Sequence, residues 1–256
     1  YILGLSAILG LVFGSFLNAL AYRQVHGGSI LRGRSACPQC GHTLSAFDLI
    51  PLVSWLLLKG RCRYCGARVS MRYPLTEALA ALYFISIVWK YGFSEPLLTL
   101  KFIVLGCLLL VAALVDLDTH TISDRLIFLG SVPALLLCGG GFRSCILGAL
   151  VVSVPLFFLV LLADKLTGKE TMGGGDIKLF FMTGAYLGPS LAVLGLICAC
   201  FAGILLYLVF FRARKDGEEE KEKEEGLAFA PAIGLGAWFC LLAGNEILSW
   251  YFGLFS

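Results

Sequence analysis

Residues 97–120 read LLTLKFIVLGCLLLVAALVDLDTH, and this stretch decides the fold class. From Leu97 to Val115 the only charged side chain is Lys101. A helix needs about 20 mostly apolar residues to cross the hydrocarbon core of a bilayer, and this run has that length. Beyond Val115 the character changes at once: Asp116, Asp118 and His120 crowd the boundary.

Working outward, further apolar runs occupy residues 2–22, 75–91, 126–140, 145–163, 177–187, 191–211 and 227–252. The sixth in chain order, 177–187, is short for a span. Of the 256 residues, 59% are hydrophobic and 14% charged, against roughly 25% charged in a soluble domain. The sequence therefore predicts an all-α polytopic membrane protein with about eight transmembrane helices. Residues 1–22 sit where a signal peptide would, yet lack a basic leading region and a small-residue cleavage site, so they read as a retained helix.

A net charge of +3 gives no reason to expect a nucleic-acid partner, and the informative feature is the placement of the basic residues. From Arg23 to Arg72 arginines and lysines face a single acid, Asp48. The positive-inside rule puts that loop in the cytoplasm. Alternation then puts the segments around 116–125, 164–178 and 212–226 on the same face. The expected division is a first transmembrane helix (1–22), a cytoplasmic four-cysteine loop domain (23–74) and a helical membrane core (75–256). A charged linker, 212–226, interrupts the core; its KDGEEEKEKEE run, residues 215–225, reads as solvated chain.

The loop carries Cys37-Pro38-Gln39-Cys40-Gly41 and Cys62-Arg63-Tyr64-Cys65-Gly66. Two thiolates across a two-residue spacer can both face a tetrahedral Zn²⁺, and the following glycine permits the tight turn around it. Cys37, Cys40, Cys62 and Cys65 are thus candidate ligands of a structural zinc that staples a loop lacking a large core. Disulfide or redox chemistry is the competing reading, disfavoured by a reducing compartment and by the repetition of the pair. Between the knuckles, residues 49–58 (LIPLVSWLLL) are too short to span and read as interfacial or packed on helices.

The second acidic concentration is Met172-Gly173-Gly174-Gly175-Asp176-Ile177-Lys178, opening the sixth apolar run. A charged side chain at the membrane centre costs roughly 2.5–3.5 kcal/mol on insertion scales, so Asp116 and Asp176 are functional candidates. Two carboxylates brought close share a proton and titrate as a unit, one acting as base and the other as acid. Such a pair activates water against a peptide carbonyl. Gly173 and Gly175 are expected to allow close backbone approach and positive φ beside Asp176. His120, four residues after Asp116, is a candidate modifier of its charge, and Lys178 a snorkelling cation. Asp118, Asp124 and Asp164 read as polar residues at helix ends.

In combination these motifs resemble the bacterial type IV prepilin peptidases, bifunctional membrane enzymes of the GxGD aspartyl protease group. The resemblance runs through Gly14-Ser15-Phe16-Leu17-Asn18, Tyr22-Arg23, both cysteine pairs, Ile50-Pro51, Leu58-Lys59-Gly60-Arg61-Cys62, Arg72-Tyr73-Pro74 with Glu77, Asp116-Leu117-Asp118-Thr119-His120 and Gly173-Gly174-Gly175-Asp176-Ile177-Lys178. One departure is Ile122-Ser123-Asp124, where the family has Leu-Pro or Ile-Pro.

The resemblance implies that Asp116 and Asp176 are the catalytic pair, cleaving prepilins and pseudopilins after a glycine at the cytoplasmic face of the bacterial inner membrane. It also implies N-methylation of the new terminus from S-adenosylmethionine, with Gly60, Arg72 and Glu77 as candidate methyltransferase residues. Other readings remain open: a peptidase with a purely structural zinc loop, a cation-binding transporter, or a scaffold whose aspartates cap helices.

Overall fold

The computed structural model describes residues 1–27, 35–92, 94–138, 141–169, 171–213 and 228–254. Arg32, Arg34 and the charged stretch 215–225 lie outside the described residues, as does most of the expected linker 212–226. The described chain is helical, apart from two isolated β-bridges, and divides into two compact units, Tyr1–Lys90 and Tyr91–Ser256.

The first unit is built on α1 (Ile2–His26) and α3 (Arg72–Tyr91). Glycines bring them together: a Cβ on Gly10 would lie 2.6 Å from Ala81 Cα, and one on Gly14 2.8 Å from Glu77 Cα. Small residues at the contact let backbones approach closely where no hydrophobic force acts between helices in lipid. Asn18 Nδ2 donates to Thr76 Oγ1 at 2.7 Å in this seam, so its buried amide is satisfied. Between the two helices, Ala46–Leu49 forms a 3₁₀ turn and α2 (Val53–Leu57) one short helix, so the apolar stretch at 49–58 does not form a span.

The second unit holds α4 (Pro96–Thr119), α5 (Asp124–Leu136), α6 (Phe142–Thr167), α7 (Gly174–Leu187), α8 (Pro189–Ala213) and α9 (Ala230–Gly253). The fourteen-residue α7 packs against all five others and buries Leu179, Phe180 and every residue from Met182 to Leu187. At about 1.5 Å per residue it rises about 21 Å, less than the roughly 30 Å hydrocarbon core. It is solvated by helices, not lipid. Its closest seam is with α6, where Gly148 and Gly184 meet backbone to backbone, leaving no room for a Cβ on either. Tyr186 hydroxyl donates to Gly130 O at 2.8 Å and ties α7 to α5.

Each apolar run of the sequence coincides with one of these helices. Among the described residues, five helices are long and apolar enough to cross a membrane: α1, α4, α6, α8 and α9. The five spans, the multiple apolar helices and their exposed Phe and Leu side chains, among them Phe157, Phe158, Leu161 and Leu162 on α6, define a multi-pass membrane protein.

Candidate functional site

Asp116 lies in the last turn of α4 and is 4% exposed. Its Oδ2 accepts the backbone N–H of Ala230, the first residue of α9, at 2.9 Å. The first N–H groups of a helix have no intrahelical acceptor, and the Asp116 carboxylate fills that role for α9. α4 ends four residues later, where His120 adopts a left-handed φ of 49° and donates its N–H to Asp116 O at 2.8 Å. The imidazole is exposed.

The chain then turns through Ile122-Ser123-Asp124 onto the start of α7. Ile122 occupies the space beside Gly175, its Cβ 3.1 Å from where a side chain at that position would begin. Three positions after Gly175, Lys178 Nζ contacts Asp124 Oδ1 at 2.6 Å. These two contacts hold the head of α7 against the head of α5, where Asp176 is half-buried.

None of Gly173, Gly174 and Gly175 has a positive φ, contrary to expectation: Gly173 is the extended N-cap of α7 and the other two are already helical. Close approach operates at Gly175 alone: Gly174 has open space around it, and a Cβ on Gly173 would make only an ordinary 3.4 Å contact with Asp176 Oδ2. Lys178 is an ion-pair partner of Asp124. Of the other acids, Asp118 is exposed, Asp124 is engaged by Lys178, and Asp164 Oδ1 accepts both the N–H and the hydroxyl of Thr171 at 2.7 Å.

In the first unit the two CxxCG knuckles are copies of one turn. Gly41 N–H donates to Cys37 O and Gly66 N–H to Cys62 O, both at 2.9 Å, with Gly41 and Gly66 at φ of 69° and 72°. Here positive φ is what glycine supplies. An isolated bridge closes each knuckle, Ala36 with Thr43 and Arg61 with Arg68. The ligand atoms of Cys37, Cys40, Cys62 and Cys65 all lie within 4.8 Å of one another, and the Sγ atoms of Cys37 and Cys65 are 3.8 Å apart. A tetrahedral zinc with Zn–S of about 2.3 Å requires sulfurs about 3.8 Å apart, so the four cysteines fit that metal. Backbone N–H groups of Cys40 and Gln39 point at Cys37 and lower its thiol to about 7, which favours the thiolate a metal needs.

Asp48, which sequence reading left without a role, joins the knuckles. It accepts from Ser45 Oγ at 2.7 Å, Arg63 Nε at 2.7 Å and Tyr64 hydroxyl at 3.1 Å. The Ser45 hydroxyl and the Arg63 guanidinium hold its carboxyl well below the usual carboxylate range. The Tyr64 ring in turn lies against His42 beside the first knuckle, ring centroids 3.7 Å apart and the planes tilted by 34°. The only available signal was that Asp48 is the one acid in a basic loop.

Gly60, at φ 67°, lies under the Trp55 ring, 2.8 Å from where its Cβ would be. Glu77 Oε2 accepts the N–H of Leu52, whose φ of 59° is strained for a side-chain-bearing residue, at 2.8 Å. Arg72 opens α3. A cavity of about 170 Å³ in this unit is lined by Ser15, Phe16, Leu20, Arg23, Ser35 and Leu49 among others.

A family profile described as the bacterial peptidase A24 N-terminal domain matches residues 8–91, and that of the type IV leader peptidase family matches residues 103–208. The prepilin leader peptidase/N-methyltransferase of Pseudomonas putida is 32% identical, covering 96% of this chain and 92% of its own length. Its namesake from Neisseria gonorrhoeae is 31% identical over 95% and 91%. The one from Aeromonas hydrophila is 36% identical over 85% and 74%. No solved structure matches. The chain belongs to the type IV leader peptidase family.

Proposed function

We propose that this chain is a membrane aspartyl endopeptidase that removes prepilin and pseudopilin leaders after a glycine at the cytoplasmic face of the bacterial inner membrane, and N-methylates the new terminus. The membership above supports the peptidase and methyltransferase pairing. The observation that supports the site assignment is the docking of 122–124, just past the end of α4, onto 175–178 at the head of α7, which puts the α4 end that carries Asp116 and the α7 head that carries Asp176 at one end of the unit.

In this reading one carboxylate is ionised and the other protonated, because two close carboxylates do not both ionise cheaply. The ionised group takes a proton from water as its oxygen bonds to the scissile carbonyl carbon. The protonated group hydrogen-bonds the carbonyl oxygen and stabilises the charge developing there. Collapse of the tetrahedral intermediate breaks the C–N bond, and the amine leaves with a proton returned by the dyad. Ala230 N–H orients the Asp116 carboxylate throughout.

Eight membrane crossings, α3, α5 and α7 included, bring 23–74, 116–124 and 164–178 to the cytoplasmic face. The three proposed segments are the first helix, the four-cysteine loop domain and the membrane core, with 212–226 as linker. A structural zinc on Cys37, Cys40, Cys62 and Cys65 holds the loop shut and, with its coordination filled by thiolates, takes no part in the chemistry. S-adenosylmethionine is the methyl donor such an activity requires, and Gly60 and Glu77 act by shaping the loop backbone. No step is assigned to a residue on the donor.

The test is a prepilin incubated with the detergent-purified chain, with and without S-adenosylmethionine, and the product weighed. The reading predicts a shortened pilin that gains one methyl group only with the donor. An uncut substrate contradicts the peptidase, and a cut but never methylated product leaves a peptidase alone.

A further inference from the structure

α9 opens without a cap of its own. Its N-cap residue is Phe229, which has no side-chain oxygen to accept an N–H of the first turn, where Ser, Thr, Asp or Asn is the usual choice. Asp116 supplies the acceptor from α4, through the Ala230 N–H. The side chain at 229 is thereby left to pack, and it packs on two other helices. Its ring centroid lies 6.3 Å from that of Phe180 on α7, the planes tilted by 51°, within the range of attractive aromatic pairs. Its Cε2 lies 2.7 Å from where a Cβ on Gly203 of α8 would be, so the lack of a side chain at 203 is what admits the ring.

Both neighbours are held in the interior: Phe180 and Gly203 are buried, as are Ala230, Ala232 and Ile233 at the head of α9. Farther along the seam with α8, a Cβ on Gly236 would lie 2.6 Å from Ala199 N, so the two helices are in backbone contact there as well. Phe180 follows Asp176 by four residues on α7, and residues four apart share a helix face. The Phe229 ring therefore bears on the face of α7 that carries Asp176, while the peptide N–H next along the chain holds Asp116. Two adjacent residues of α9 thus join Asp116 to the Asp176 face, a connection independent of the one through Ile122 and Lys178.

We infer that Phe229 is a positioning residue of the peptidase, setting the spacing of Asp116 and Asp176 by keying the head of α9 to α7 and α8. The inference rests on the aspartate pair proposed above. Loss of the ring lets the heads of α7 and α9 part, and misplacing reacting groups by about 1 Å costs up to about 10²-fold in rate. The loss falls on kcat, because the contact that disappears is one that aligns the chemical step and not one that holds the substrate. The pH dependence changes too. Two interacting carboxylates titrate as a pair, and the limbs of the kcat profile report that pair. Their interaction weakens with distance, so the pH range between the limbs narrows, by about half a unit for a separation growing from about 4 to about 5 Å at an effective dielectric constant of about 20. A smaller folded fraction would scale the rate and leave the limbs where they are.

The test is cleavage of a prepilin by the detergent-purified full chain as wild type, Phe229→Ala, Phe229→Leu, Gly203→Ala and Phe239→Ala, with kcat, KM and the pH profile of kcat measured for each. Phe229→Ala is expected to lose about 10²-fold in kcat, with KM within about twofold of wild type, and to narrow the pH range. Phe229→Leu keeps a branched apolar side chain against Phe180 and is expected to recover most of the loss. Gly203→Ala displaces the ring from the α8 side and is expected to narrow the range with residue 229 intact. Phe239→Ala, at a position of the same helix that is 50% exposed, is expected to match wild type. Should Phe229→Ala fail to fold, Phe229→Leu and Gly203→Ala carry the comparison with wild type. Wild-type kcat in the variants at 229 and 203, or a lower rate with the limbs unmoved, overturns the inference and leaves the peptidase standing. A wild-type chain that does not cut, or full cleavage by Asp116→Asn, overturns the proposed function and this inference with it.

Discussion

Asp116 Oδ2 and Ala230 N are joined by a 2.9 Å hydrogen bond across 114 residues of sequence. One carboxylate thereby serves two ends, fixed by α4 on one side and satisfying the first turn of α9 on the other. Asp176 has a different setting, at the head of α7 with glycines around it. The two aspartates therefore differ in what their removal does to stability.

Asp116→Ala leaves a buried N–H without its acceptor, and an unsatisfied buried donor costs about 1–3 kcal/mol. Thermal unfolding of Asp116→Ala is expected at clearly lower temperature than that of Asp176→Ala, which loses no such bond. Both variants lose peptidase activity. Equal melting temperatures would mean that the Ala230 bond contributes nothing.

Gly175→Val forces Ile122 away from the head of α7. Small misplacement of a reacting group costs up to about 10²-fold in rate. The expected result is a large fall in kcat with a folded, helical protein, checked by cleavage rates beside circular dichroism. Retained kcat would show that the contact does not position Asp176.

The Gly148 and Gly184 seam tolerates no side chain. Gly148→Ala is expected to destabilise by about 1–3 kcal/mol, the usual cost of overpacking, and to lower the unfolding temperature. Gly4→Ala, with open space around it, is the matched control and leaves that temperature unchanged.

Asp48 gives the loop a pH dependence whose sign follows from its depressed carboxyl. A group with a lowered folded value contributes stability above its ordinary range, about 4, and loses it as pH falls through the folded value. Hydrogen exchange across 35–71 is therefore expected to separate wild type from Asp48→Asn at neutral pH and to converge in strong acid. Chelating zinc speeds exchange over the same residues. Exchange indifferent to both treatments would contradict the zinc staple.

Much of this was legible in the sequence because it is local. The cysteine knuckles repeat a short pattern, and each turn follows from the glycine four positions after its first cysteine; the apolar runs mark helices by length alone. Long-range contacts left no such trace. Nothing adjacent in sequence pairs Lys178 with Asp124, lays Ile122 on Gly175 or makes Asp48 the bridge between knuckles. The glycines before Asp176 misled because glycine has two uses, positive φ and close approach, and only the second operates there. Gly60 and Glu77 stood out by motif, but what they touch, Trp55 and the Leu52 N–H, is set by the folding of the loop.

The most direct test of the dyad is cleavage of a prepilin by the purified chain alongside Asp116→Asn, Asp176→Asn and Asp118→Asn. Asparagine keeps the shape but cannot carry the proton, so the account predicts that the first two variants lose cleavage while Asp118→Asn stays near wild type. Full cleavage by either Asp116→Asn or Asp176→Asn would contradict it.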